Sequence, residues 1–132
     1  MSNRVSCTSI ENYQVLVRTG KHSWMADEPP EIDGDGLGPN PFDMLLAALG
    51  SCMIVSVVYY SERSKLPLER LYVEILGEQD KSKDRYQIAA TVRARGDLDE
   101  QAMQRLTKAA HRCPVHKLLS AGADIEVKLE RV

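Results

Sequence analysis

The sequence predicts an α+β domain, and three of its features carry that expectation. Apolar residues alternate with polar ones in several short runs, which is how half-buried strands read. Residues 44 to 60 form one long run without a single charged side chain, far longer than a strand and bounded by helix start and stop signals. Two shorter stretches near the C-terminus carry apolar residues at helical spacing. With 132 residues, 43% of them hydrophobic, the chain has the size of a single domain over residues 1–132 and enough apolar surface for a core.

Taken in order, Tyr13, Val15 and Val17 alternate with Gln14, Leu16 and Arg18, and the pattern resumes at His22, Trp24 and Ala26 after Thr19-Gly20. A hairpin is expected there. Residues 27–40 place Asp27, Glu28, Glu31, Asp33 and Asp35 among prolines and glycines with no apolar period, which reads as an acidic, mobile loop. Asn40-Pro41-Phe42-Asp43 then supplies a helix start: an Asn cap, a proline at the first helical position and an acid at the third.

The uncharged run that follows approaches the ~20 residues of a membrane span. Gly50, Ser51, Cys52 and Ser56 dilute it and an acidic loop precedes it, so the expectation is a soluble core helix to about Lys65, buried nearly all round. At ~1.5 Å per residue it is ~36 Å long, the width of a whole small domain. One chain of this size can hardly surround such a rod, and a dimer is expected.

Pro67 closes the helical stretch. Leu71, Val73 and Ile75, then Tyr86, Ile88, Ala90, Val92 and Ala94, read as two antiparallel strands joined at Lys81-Ser82-Lys83-Asp84. Asp97-Leu98-Asp99-Glu100 opens a second helix to about His111, with Ala102, Leu106, Ala109 and Ala110 on one stripe. Cys113-Pro114 starts a short helix that stops near Ala121-Gly122. Ile125, Val127 and Leu129 read as a final strand, giving the order ββ-α-ββ-α-α-β.

Charge excludes several functions. Seventeen Lys and Arg against 19 Asp and Glu leave a net charge of -2, unlike the strongly basic balance of a nucleic-acid binder. Aromatics at 5% offer little for base stacking. The N-terminal residues contain no apolar run of signal-peptide type, so a cytoplasmic protein is expected. In that reducing compartment the three cysteines read as free, catalytic or metal-binding rather than structural bridges.

Cys52 lies inside the apolar helix, where a cysteine is ordinarily a small core residue. Cys113 heads a helix, whose N-terminal N–H groups favour a thiolate, and His111, Arg112, His116 and Lys117 surround it in sequence. By local sequence it is the better thiolate. Cys7, in a polar strand-like stretch, has no assigned role. His111, Cys113 and His116, with His22 or Cys52, could ligate a metal, but His-x-Cys-x-x-His is no usual zinc spacing, and no metal or cofactor is expected. Gly34, Gly36 and Gly38 follow an acidic stretch that would repel phosphate.

The stretch Gly38-Pro39-Asn40-Pro41-Phe42-Asp43-Met44-Leu45-Leu46-Ala47-Ala48-Leu49-Gly50-Ser51-Cys52 and the later Arg112-Cys113-Pro114-Val115-His116-Lys117 resemble the OsmC/Ohr family of osmotically inducible and organic hydroperoxide resistance proteins. Trp24-Met25-Ala26-Asp27-Glu28-Pro29 resembles its OsmC-like branch. The resemblance implies antiparallel sheets wrapping a long central helix in an intertwined homodimer. It implies a thiol peroxidase in which Cys52 matches the cysteine that attacks the peroxide and Cys113 the resolving one. It also implies an Arg–acid pair that organises the first cysteine, and a dithiol reductant of the dihydrolipoamide type.

Arg18 is the best-placed candidate for the arginine, because the Gly-Gly-Arg of the hydroperoxide branch is missing. The acid also departs from that branch, whose glutamate directly follows the Asn-Pro pair. Here that position is Phe42 and the acid is Asp43, a step of ~100° around a helix. Phe42, Met44, Leu45 and Met53 would supply apolar walls for an alkyl hydroperoxide. The competing expectation is an OsmC-like dimer that binds a small hydrophobic ligand or senses redox state with little turnover. Neither expectation involves a nucleic acid or a membrane.

Overall fold

The computed structural model of the chain describes residues 2–132. They gather into two compact units, one ending at Ala47 and one running from Ala48 to Val132.

The first unit is built on an antiparallel sheet of β1 (Ser6–Ser9), β2 (Val15–Thr19) and β3 (His22–Ala26) in that order. The expected hairpin is β2–β3: Thr19 faces His22 across a turn in which Gly20 takes φ +54°. Tyr13 lies in the preceding turn rather than in the strand. β1 adds a third strand, with Cys7 opposite Val17.

The acidic loop is more organised than its composition suggests. Pro30–Ile32 form a turn of 3-10 helix, and Asp33 closes it with φ +69°. The Asp27 side chain is buried, and its carboxylate accepts the N–H groups of Glu28 at 2.7 Å and Leu37 at 3.1 Å. Gly34 is required because a Cβ there would stand 1.8 Å from the Glu28 carbonyl oxygen.

The long helix α1 (Pro41–Arg63) starts where the sequence indicates. Asn40 Oδ1 accepts the N–H of Asp43 at 2.8 Å, satisfying one of the unpaired donors of a helix start. The last helical residue is Arg63, two short of the expected end, and Lys65 turns the chain with φ +55°.

In the second unit, β4 (Leu68–Asp80) and β5 (Arg85–Gly96) pair as one long hairpin with Val73 opposite Val92 and Ile75 opposite Ala90. Helix α2 (Glu100–His111) begins at Asp99, whose side chain accepts the Ala102 N–H at 2.8 Å. It buries Ala102, Leu106, Ala109 and Ala110, the stripe read from the sequence. Val57 of α1 packs with Leu106, Ala109 and Ala110, and Leu71, Val92 and Ala94 lean on them. Each large side chain buried this way contributes ~1.5–3 kcal/mol. Helix α3 (Pro114–Ala121) completes the unit.

Two expectations meet the single chain here. First, the chain alone covers only Leu49, Met53, Val57 and Ser61 of α1, one residue per turn, as expected if one copy cannot surround the helix. The chain supplies one layer against one stripe, which leaves Val55 67% exposed and Tyr59 57% exposed. Second, residues 123–132 form no strand. Ile125, Val127 and Leu129 alternate as a strand should, yet all three stand in solvent, because among the described residues no strand edge pairs with them.

Candidate functional site

The second unit brings Cys52 and Cys113 together. Cys113 joins the buried Leu49 and Met53 in one core cluster, and Cys52, Val73, Ile75, Ile88, Val115 and Leu119 pack against it. This proximity follows from local geometry. Leu49 and Met53 lie one turn apart on the covered stripe of α1, and Cys52 sits on its flank beside Met53. Gly50 lets that turn approach β4 closely, since a Cβ there would lie 3.3 Å from Ile75 Cδ1.

The two sulfurs occupy different environments. Cys113 is 0% exposed, whereas Cys52 is half-buried. Cys113 caps α3, and its Sγ accepts the His116 backbone N–H at 3.4 Å. Burial nevertheless pushes its thiol pKa above the ordinary cysteine value, and the neighbouring Cys52 adds to the shift. The N–H groups of His116 and Val115 pull the other way without overcoming burial. The thiolate that a helix start and basic neighbours would favour at Cys113 is therefore opposed by its burial. Those neighbours, His111, Arg112 and Lys117, are themselves exposed, and their charge is screened by water.

The remaining candidates fall in two places. Met53 belongs to the cysteine cluster. Arg18, Phe42, Asp43, Met44 and Leu45 lie in the first unit. Arg18 is exposed on β2 between Ser6 and Ser23 of the flanking strands. Asp43 is an exposed acid in the first turn of α1. The Trp24 Nε1–H donates to Met44 Sδ at 3.1 Å, which ties β3 to the start of the helix. Phe42 is 56% exposed and Leu45 36%.

Two further features lie outside the sequence reading. A cleft of about 660 Å³ opens in the second unit between β5, α2 and α3, lined by Leu49, Met53, Leu106, Arg85, His111 and His116 among others. The rings of His111 and His116 meet edge to face at 5.7 Å on its rim. Both histidines are visible as basic neighbours of Cys113, but only the packing of α2 against α3 turns them toward one another.

Residues 34–128 match the OsmC-like protein family. The chain belongs to that family. The match includes all of α1, both cysteines of the cluster and the hairpin between them. The Bacillus subtilis protein YmaD is 45% identical over 49 residues, which is 37% of this chain and only 33% of that relative's length. Solved structures agree in fold over almost the whole chain. The OsmC-like protein of Mycoplasma pneumoniae superposes with a TM-score of 0.79 at 14% identity, covering 91% of this chain and 88% of its own. The organic hydroperoxide resistance protein OhrB of Bacillus subtilis gives 0.65 at 18% identity and 98% coverage of both chains. The architecture of antiparallel sheets with a long helix is thus the OsmC-like fold.

Proposed function

We propose that the protein is a cysteine-based thiol peroxidase that reduces organic hydroperoxides in the cytoplasm. The observation that carries this reading is the packing of part-buried Cys52 against buried Cys113 in one cluster. The Cys52 thiolate attacks the distal peroxide oxygen, the O–O bond breaks, and the alkoxide leaves as an alcohol after taking a proton. Cys52 is left as a sulfenic acid. The Cys113 thiol condenses with it, releasing water and closing a Cys52–Cys113 disulfide. A small or lipoyl-type dithiol restores both thiols.

Arg18 is proposed to hold Cys52 as a thiolate and polarise the peroxide, with Asp43 orienting the guanidinium. Phe42, Met44, Leu45 and Met53 are proposed to receive the alkyl group. The protein is proposed to act as a homodimer, since a charge-free helix with Val55 and Tyr59 exposed needs a second apolar surface. By length and composition α1 would also suit a membrane span. Its family match favours a second copy of the chain as that surface.

Turnover of cumene hydroperoxide with dihydrolipoamide, followed in wild type and Cys52→Ser, tests the proposal. Multiple turnovers that vanish in the variant support it. Absence of any thiol loss on adding peroxide overturns it. The second reading, a binder of small hydrophobic ligands, draws on the 660 Å³ cleft, and saturable ligand binding without peroxide turnover would favour it.

A further inference from the structure

The two sulfurs of the cluster differ in a way that gives the oxidised pair a direction. Thiol–disulfide exchange needs an external thiolate to approach one sulfur along the S–S axis, and its rate depends on access to that sulfur and on how well the other one leaves. Cys113 is 0% exposed and walled by Leu49, Met53, Val115 and Leu119. Cys52 is only part-buried, at the edge of the covered stripe of α1, where Cys113 lies beneath it. Any opening that admits a hydroperoxide to Cys52 also admits a thiolate to the same sulfur. Cys113, for its part, sits at the N-terminus of α3 with the His116 N–H already directed at its Sγ, which offsets part of the burial cost of a leaving thiolate there, so access to Cys52 is what sets the direction.

We infer that the disulfide is opened at Cys52, with Cys113 as the leaving group under the first turn of α3. This rests on the peroxidase reading for its biological setting, though the exchange itself needs only the cysteine pair. The external thiolate forms a new S–S bond to Cys52 Sγ while the Cys52–Cys113 bond breaks and its electron pair goes to Cys113. Cys113 then takes a proton and returns to the thiol that its enclosure favours. A dithiol finishes the step intramolecularly: its second thiolate attacks its own sulfur in the mixed disulfide, expels Cys52 as thiolate and closes the reductant's disulfide. Peroxide and reductant therefore use one entrance and one sulfur, and each excludes the other.

The test uses the full chain carrying Cys7→Ser, so that the exposed Cys7 takes no part. The pair is oxidised with diamide, which makes disulfides without peroxide, and then mixed with a limiting amount of the monothiol 2-mercaptoethanesulfonate, which has no intramolecular second exchange, so the mixed disulfide persists at early times. N-ethylmaleimide quenches the mixture at early times and peptide mass mapping locates both labels. The expected result is the monothiol on Cys52 and maleimide on Cys113, in at least tenfold excess over the converse. Equal labelling, an excess of monothiol on Cys113, or no Cys52–Cys113 disulfide under diamide would overturn the inference. A parallel sample treated with cumene hydroperoxide separates the two readings. If peroxide forms no disulfide while the diamide product still exchanges at Cys52, the peroxidase proposal fails and this one stands.

Discussion

Cys113 is fully enclosed, and Cys52, packed against it, is only part-buried. A pair arranged this way has an outer sulfur that meets reagents and an inner one that meets only its partner. The inner thiol also has its pKa raised by burial, so at neutral pH it waits as a thiol.

This asymmetry predicts distinct variants. Cys52→Ser should abolish peroxide consumption. Cys113→Ser should allow one stoichiometric oxidation and trap a sulfenic acid on Cys52 that dimedone labels. Dimedone labelling of Cys113 in Cys52→Ser at the wild-type rate would reverse the two roles.

The raised Cys113 pKa also predicts a pH dependence of stability. A free cysteine titrates near ~8.5, and the folded chain holds Cys113 protonated to higher pH because its enclosure disfavours the anion. The folded state therefore binds more protons than the unfolded state between those two values, and stability falls as pH rises there. The contribution is complete below the unfolded value and lost as pH climbs through the folded one. Urea midpoints of the reduced protein should drop more between pH 7.5 and 10 in wild type than in Cys113→Ala. Parallel curves for the two proteins would contradict the assigned environment.

Much of this arrangement is legible in the sequence, for physical reasons that differ by residue. Asn40 reads as a cap and residues 97–100 as a helix opening because such side chains satisfy donors within three residues, as Asn40 and Asp99 do, an interaction that needs no tertiary partner. Val73, Ile75 and Ile88 read as inward-facing because strand alternation fixes their side. The state of Cys113 does not read out, because a helix start and basic neighbours are local while enclosure depends on Leu49 and Met53, which are distant in sequence. Residues 123–132 fail for a related reason. The alternation at Ile125, Val127 and Leu129 is correct for a strand, but a strand exists only where an edge pairs with it.

The exposed face of α1 predicts assembly behaviour. Val55 touches little of its own chain, being 67% exposed, so Val55→Asp should leave the fold of the single chain intact. If a second copy covers this face, the charge would be buried there at a cost of several kcal/mol. Light scattering should find a dimer for wild type and a folded monomer, with unchanged far-ultraviolet circular dichroism, for the variant. A wild-type monomer at micromolar concentration would remove the basis of the dimer proposal.

The last prediction concerns Asp27, which organises the loop ahead of α1. Its carboxylate is buried and accepts two backbone N–H groups, from Glu28 and from Leu37 ten residues further on. Its own N–H donates to the Pro39 carbonyl at 3.1 Å, just before the helix cap. Asp27→Ala leaves the backbone bond in place but orphans both donors in a site with little water, which costs about 2–4 kcal/mol. Asp27→Asn retains one acceptor oxygen, so its loss should be about half as large. Trp24 is the single tryptophan of the chain and sits in the same unit, where its indole N–H meets Met44 at the start of α1. Its fluorescence in urea should report the loosening directly. Equal and small losses for both variants would mean that Pro30–Ile32 and the glycines hold the loop without the carboxylate.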